Sequence, residues 1–108
     1  MTVRRSLFAA AVATFALAGA AQAQTTDPSF RLNNRSNVTI MELYVSSSAD
    51  RNWGQDRLGA NVLAPGQSFI VRLPDGQCVN DIRIVPQNSQ PIERMQINTC
   101  NLTDINFP

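Results

Sequence analysis

Ser68-Phe69-Ile70-Val71-Arg72-Leu73-Pro74-Asp75-Gly76-Gln77-Cys78-Val79-Asn80-Asp81-Ile82-Arg83-Ile84-Val85 is the stretch that sets the fold class. Phe69, Val71 and Leu73 recur at every second position, the period of a half-buried strand. Pro74-Asp75-Gly76 then supplies the residues of a tight turn. Beyond it Cys78, Ile82 and Ile84 share one side, with Asp81 and Arg83 on the other. Two alternating runs around so short a turn read as a β-hairpin, with Cys78 directed into the apolar layer.

Working outward, the same material repeats. Upstream, Phe30-Arg31-Leu32 alternates, Asn33 to Asn37 is dense in turn formers, and Val38 to Val45 is β-branched and aromatic. In that run Met41, Leu43 and Val45 fall on one face, and Val38, Ile40 and Tyr44 on the other, interrupted by Glu42, so both faces are partly covered, as in an inner strand. Downstream, Pro86 to Pro91 reads as a turn, and Ile92 to Asn98 as a strand with Met95 and Ile97 inward and Arg94 and Gln96 outward. Leu102, Ile105 and Phe107 change parity, as at a bulge or a short closing strand. No stretch after residue 23 carries a helical stripe. The expected fold is all-β, a small antiparallel β-sandwich or barrel of about six strands.

Ser46 to Ala64 interrupts this rhythm, with three serines, several turn formers and the only Trp of the chain. A helical turn, if the domain has one, is expected here. Asn52-Trp53-Gly54-Gln55-Asp56-Arg57 within it is the candidate binding loop, because long loops on rigid β scaffolds often carry recognition. The competing reading packs Trp53 over one end of the sandwich, where its large area would serve a small core; for Trp53 alone this is the favoured reading.

The start of the chain is of another kind. Residues 1–23 hold a cationic beginning with Arg4 and Arg5, an apolar run from Leu7 to about Ala18, and Ala21-Gln22-Ala23. This is the pattern of a signal peptide cleaved after Ala23, with Ala21 and Ala23 as the small residues that signal peptidase requires. Either the general (Sec) route or the twin-arginine (Tat) route suits the arginine pair. The mature domain is then residues 24–108, periplasmic or secreted, with no stable membrane insertion after cleavage. Its first polar residues, to Ser29, are expected as a disordered lead-in.

In an oxidising compartment the two cysteines pair as Cys78–Cys100, closing a loop that removes unfolded-state freedom. The formal charge of +1 includes the leader, whereas residues 24–108 hold seven arginines against eight acids. That balance offers nucleic acid no electrostatic grip. There is no Lys and no His, so Schiff-base chemistry, the commonest general base and the commonest zinc ligand are all missing. Ser46, Ser47 and Ser48 lack an activating base, and Asp56 with Asp81 or Glu93 forms a carboxylate pair only if folding joins them. Asp50, Asn52 and Asp56, with Asp81 or Asp104, could offer oxygens to calcium, but the spacing fails the EF-hand pattern, with Gly54 one residue early and Asn61 where the closing acid belongs. The sequons at Asn34, Asn37 and Asn101 read as turn residues. No catalytic residue, metal or cofactor is assigned.

The ordered series Asn33-Asn34-Arg35-Ser36, Ile40, Glu42-Leu43-Tyr44-Val45-Ser46, Trp53-Gly54-Gln55-Asp56-Arg57-Leu58-Gly59, Leu63-Ala64-Pro65-Gly66, Cys78, Asp81-Ile82-Arg83 and Asn98-Thr99-Cys100 resembles a family of short exported bacterial proteins of uncharacterised function, often named simply "Tat pathway signal protein". The resemblance implies export and no assigned activity. Asn80 and Pro86-Gln87-Asn88 stand where similar sequences have an aromatic residue and a Tyr-acid-Gly turn. The reading that follows is a non-catalytic binding or structural module meeting an envelope or extracellular protein or ligand. The alternatives are an inhibitor of an envelope hydrolase, acting through the Trp53 loop or the Pro74-Asp75-Gly76 turn, and a calcium-stabilised domain.

Overall fold

The computed structural model describes residues 25–108; the expected signal peptide, with Ala21 and Ala23, lies outside them. Six strands follow in chain order, β1 (Phe30–Asn34), β2 (Ile40–Ser47), β3 (Ser68–Val71), β4 (Val79–Pro86), β5 (Ile92–Asn98) and β6 (Asp104–Phe107). They form two three-stranded sheets, ordered β3-β1-β6 and β2-β4-β5. The all-β sandwich expected from the alternating runs is what forms. Three of its four strand pairs are antiparallel, and β6 lies parallel to β1. The helical turn among the described residues is a 3-10 turn at Thr99–Asn101, not in the Trp53 loop.

The core sits between the sheets. Phe30 and Leu32 from β1, Val71, Leu73 and Phe107 meet Ile40, Leu43 and Val45 from β2 and Ile82 and Ile84 from β4. Leu58 and Leu63, from the irregular stretch, complete the cluster. Each such side chain contributes about 1.5–3 kcal/mol by leaving water.

The expected hairpin does not form. β3 pairs with β1 in one sheet, and β4 pairs with β2 and β5 in the other. The Pro74-Asp75-Gly76 turn therefore carries the chain between layers. Gly76 has φ +87° and Asp75 is not left-handed, with the Gln77 N–H donating to the Pro74 carbonyl at 3.0 Å. That is the pattern of a type II turn, which splays its flanking segments, whereas a two-residue hairpin needs a primed turn.

Two bulges move residues off their expected faces. Ile40 pairs with Pro86 and Glu42 with Val85, leaving Met41 as the extra residue. Ile40 thus joins Leu43 and Val45 in the core, and Met41 is exposed, the reverse of strict alternation. In β5 the register shifts between Asn80 and Ile82, opposite Met95 and Gln96. Met95 is turned outward, 54% exposed, while Ile92 and Ile97 pack on the core. Asp81 fastens this bulge. Its Oδ1 accepts the Gln96 N–H at 2.9 Å and the Ser48 hydroxyl at 2.7 Å, and Asp81 is buried. Gln96 has φ +56°, a left-handed conformation that glycine adopts without steric cost. Gln96→Gly keeps the donated N–H and relieves a left-handed strain of roughly 1–2 kcal/mol against an entropic cost of roughly 0.5–1 kcal/mol for glycine, so the unfolding free energy is expected to rise by about 0.5–1 kcal/mol, measured by urea denaturation.

One end of the sandwich is polar and cross-linked. The Cys78–Cys100 disulfide, with Cα atoms 5.0 Å apart, ties the start of β4 to the turn after β5. Cys78 lies on the inward side as expected, but its inward neighbour is Asn80, so the bond sits beside the apolar cluster instead of within it. Buried Asn80 donates to the Gln77 carbonyl at 2.8 Å and to Thr99 Oγ1 at 3.0 Å, and its Oδ1 accepts from Gln77 Nε2 at 2.8 Å. The segment before β1 is tied to this region, contrary to its expected disorder. Thr25 Oγ1 donates to the Cys100 carbonyl, Thr26 Oγ1 to Asp75, and the Thr26 carbonyl accepts from Gly76. Such anchoring orders terminal residues that composition alone would leave free.

Asn34, the first sequon residue, is buried. Its Nδ2 donates to the Val38 and Leu63 carbonyls, and its Oδ1 accepts from Ser36 N and Oγ. It organises the β1–β2 turn, as its reading as a turn residue anticipates.

Candidate functional site

The chain leaves β2 at Ser47, turns with the Asp50 N–H on the Ser47 carbonyl, and returns to the sandwich through Asp56, Arg57 and Leu58. The return makes the site. β2 is an edge strand, not the inner strand that its two partly apolar faces suggest, and unpaired edge groups invite foreign strands. Here the loop itself covers them. Asp56 Oδ1 accepts the Leu43 N–H at 2.9 Å and the Leu58 N–H at 3.0 Å, and the Leu43 carbonyl accepts from the Arg57 N–H. The Arg57 guanidinium donates to the Val45 carbonyl at 2.9 Å and to the Arg72 carbonyl at 3.3 Å. Because Arg72 directly follows β3, that one side chain joins the two sheets. Leu58 anchors the return in the core.

Between this brace and the end of β2 lies an open cleft of about 770 Å³. Ser46, Ser47, Asp50, Trp53, Gln55 and Gln77 are among the residues that line it. Trp53 is half-buried and stands outside the apolar cluster, so the packing role weighed for it in the sequence is not the one it takes. Gly54, with φ +78°, turns the chain beside the indole, in a conformation that would strain most other residues.

The six residues of the candidate loop divide into two groups. Asp56 and Arg57 are committed to the fold. Asn52 and Gln55 are exposed, and the side chains of Asn52, Trp53 and Gln55 hold no hydrogen bond among the described residues. The same is true of the side chains of Asp50 and Arg51, which also line the cleft. Gln77 is the lining residue that local sequence could not supply, since it arrives from the turn between the sheets.

The remaining candidates are dispersed. Among the described residues no three His, Cys, Asp or Glu side chains converge as a metal site would require. Asp81 holds the β5 bulge, and Asp104 on β6 accepts from Arg31 Nε at 2.7 Å and Asn33 Nδ2 at 3.0 Å. On the outer face of the second sheet, Tyr44 donates to Glu42 and Arg83 pairs with Glu93. The Glu42 carboxylate holds the Tyr44 phenol above its ordinary value of 10. Ser46 and Ser47 line the cleft without a basic neighbour of the kind that activates a hydroxyl.

Asp104 is held below the ordinary aspartate value of 3.8, first by the hydrogen bond from Arg31 and then by that from Asn33. A depressed carboxylate stabilises the fold above its unfolded value, and that contribution fades as pH falls through the folded value. The Asp104 Cγ resonance is therefore expected to titrate below pH 3.8, and Arg31→Ala should move the midpoint upward. A midpoint unchanged by that substitution would contradict the pairing.

A second groove, of about 360 Å³ and mostly apolar, opens where β5 faces β6. Ile92, Ile97 and Ile105 line it with the core residues Ile82 and Ile84, and Arg94 borders it. Arg94, expected to face outward, pairs with Ile82 because of the bulge and so falls on the inward side of this edge strand, where a charge is a known guard against sheet-to-sheet association.

Comparison with protein-family models, with curated proteins and with solved structures gave no match to this chain. Any reading of the cleft accordingly rests on its geometry. Among the described residues, no helix is long and apolar enough to cross a membrane, and a disulfide suits an oxidising compartment.

Proposed function

We propose that the chain is a small non-catalytic binding module of the periplasm or secreted fraction, exported by its leader, which meets its ligand or partner through the Trp53 cleft. One observation carries this reading. The loop is fastened at Asp56 and Arg57, while Asn52, Trp53 and Gln55 present side chains without hydrogen-bond partners among the described residues. A braced loop with unengaged tips is preorganised, so binding costs less conformational entropy. The lack of Lys and His in the sequence supports a non-catalytic role, and the signal-like leader and the disulfide support export. The resemblance to short exported bacterial proteins agrees with it.

A photo-crosslinking residue placed at Trp53 or Gln55 in intact exporting cells tests the proposal. The same species should be captured from both positions, and not from Ser68, which is exposed on β3 of the other sheet. Equal labelling from all three would count against it.

A further inference from the structure

Resting on that reading of the cleft, we infer that its ligand is an uncharged oligosaccharide, with the Trp53 indole packed on a sugar ring and Asn52, Gln55 and Asp50 engaging the hydroxyls. A pyranose offers a flat C–H face and a rim of hydroxyls, each both donor and acceptor. The cleft offers the complement. Trp53 supplies the only indole of the chain, half-buried at the wall of the cleft, and an aromatic face suits apolar C–H groups while its N–H can reach a polar partner. Around it Asn52, Gln55 and Gln77 carry amides able to donate and accept, Asp50 accepts, and Arg51 presents a fork of donors. A volume of about 770 Å³ falls inside the range of about 300–1,000 Å³ usual for small-molecule sites.

Other ligand classes fit less well, each for a reason visible in the fold. An extended peptide would add to a free strand edge. On β2 that edge is closed, because Leu43 N–H and C=O and the Val45 carbonyl already have partners from Asp56 and Arg57. An acyl chain needs an apolar wall, and Val45 is the only aliphatic side chain in the lining. A polyanion needs surplus positive charge, but Asp50 and Asp56 balance Arg51 and Arg57.

A single Trp makes the test direct, since intrinsic fluorescence reports on Trp53 alone. The mature protein with its disulfide intact is titrated with maltotriose, cellotriose and tri-N-acetylchitotriose, and separately with a mixture of extended peptides. A saturable change with at least one sugar is expected. Affinity should fall about five- to tenfold in Gln55→Ala, with melting unchanged because the exposed Gln55 side chain holds no hydrogen bond among the described residues. A sugar response identical in Gln55→Ala would overturn the inference, as would a flat response to every sugar. If the peptides alone respond, or crosslinking from positions 53 and 55 captures a protein, the sugar assignment fails and the binding module stands. If every titration is flat and crosslinking is equally unspecific, both fall.

Discussion

Replacing Asp56 by alanine is expected to lower the unfolding free energy by about 2–4 kcal/mol, a large share of what a domain of this size holds. The carboxylate accepts two backbone N–H groups, from Leu43 on the β2 edge and from Leu58 in the loop. Hydrogen bonds to a charged acceptor are worth about 1.5–3 kcal/mol each, and part of that is recovered where water reaches the freed amides. Leu43 itself is fully buried, so its N–H stands at the margin of the core. Losing the acceptor also loosens the return strap that seats Leu58, and with it one wall of the cleft. Urea denaturation of the mature protein reads the effect as a lowered midpoint at constant slope. Asp56→Asn, which keeps one acceptor oxygen, should fall between the two. A loss below about 0.5 kcal/mol, typical of surface substitutions, would mean that the loop is not braced as described.

The second large effect concerns the covalent link. The double replacement Cys78→Ser, Cys100→Ser is expected to cost roughly 3 kcal/mol, since the bond closes residues separated by 22 positions and restricts the unfolded chain accordingly. For a domain of this size that corresponds to a fall in Tm on the order of 10–20 °C. The neighbouring contacts should fail with it. Thr99 N–H on the Cys78 carbonyl and Thr25 on the Cys100 carbonyl both depend on the strand ends staying together. Calorimetry on the oxidised protein and the double variant measures the difference. Equal melting temperatures would show that the polar cluster around Asn80 holds this end unaided.

How much of this was legible beforehand depends on the range over which each feature is decided. Alternation in Phe30-Arg31-Leu32 and in Ser68 to Leu73 is a local property of the chain, and it reported two layers of short strands correctly. The pairing of two cysteines in one domain left a single possibility. Bulges are different. One inserted residue reverses every face beyond it, and nothing at Met41 or Met95 announces the insertion, so Ile40 and Met95 were read onto the wrong sides. Pro74-Asp75-Gly76 marked a turn truly, but whether a turn closes a hairpin or crosses between sheets depends on the strands that compete for its flanks. Here β1 claimed β3, and β2 with β5 claimed β4.

The site was legible as a location and not as a division of labour. The lone Trp in the longest irregular stretch drew attention to residues 52–57. That Asp56 and Arg57 would serve the fold, leaving Asn52, Trp53 and Gln55 to face outward, follows only once β2 is seen to be an edge strand in need of partners. Gln77 joined the cleft from 20 positions beyond Arg57, through the crossing between the sheets. No local pattern could have placed it there.

Native-state hydrogen exchange at the Leu43 amide addresses the brace most directly, because that N–H points away from β4 and toward Asp56 alone. If the strap of residues 56–58 is a fixed part of the sandwich, Leu43 exchanges only on global unfolding, as slowly as the amides of β4 in the sheet centre. Exchange at the rate of an exposed loop amide, with β4 still protected, would show the edge of β2 open and the cleft without its wall.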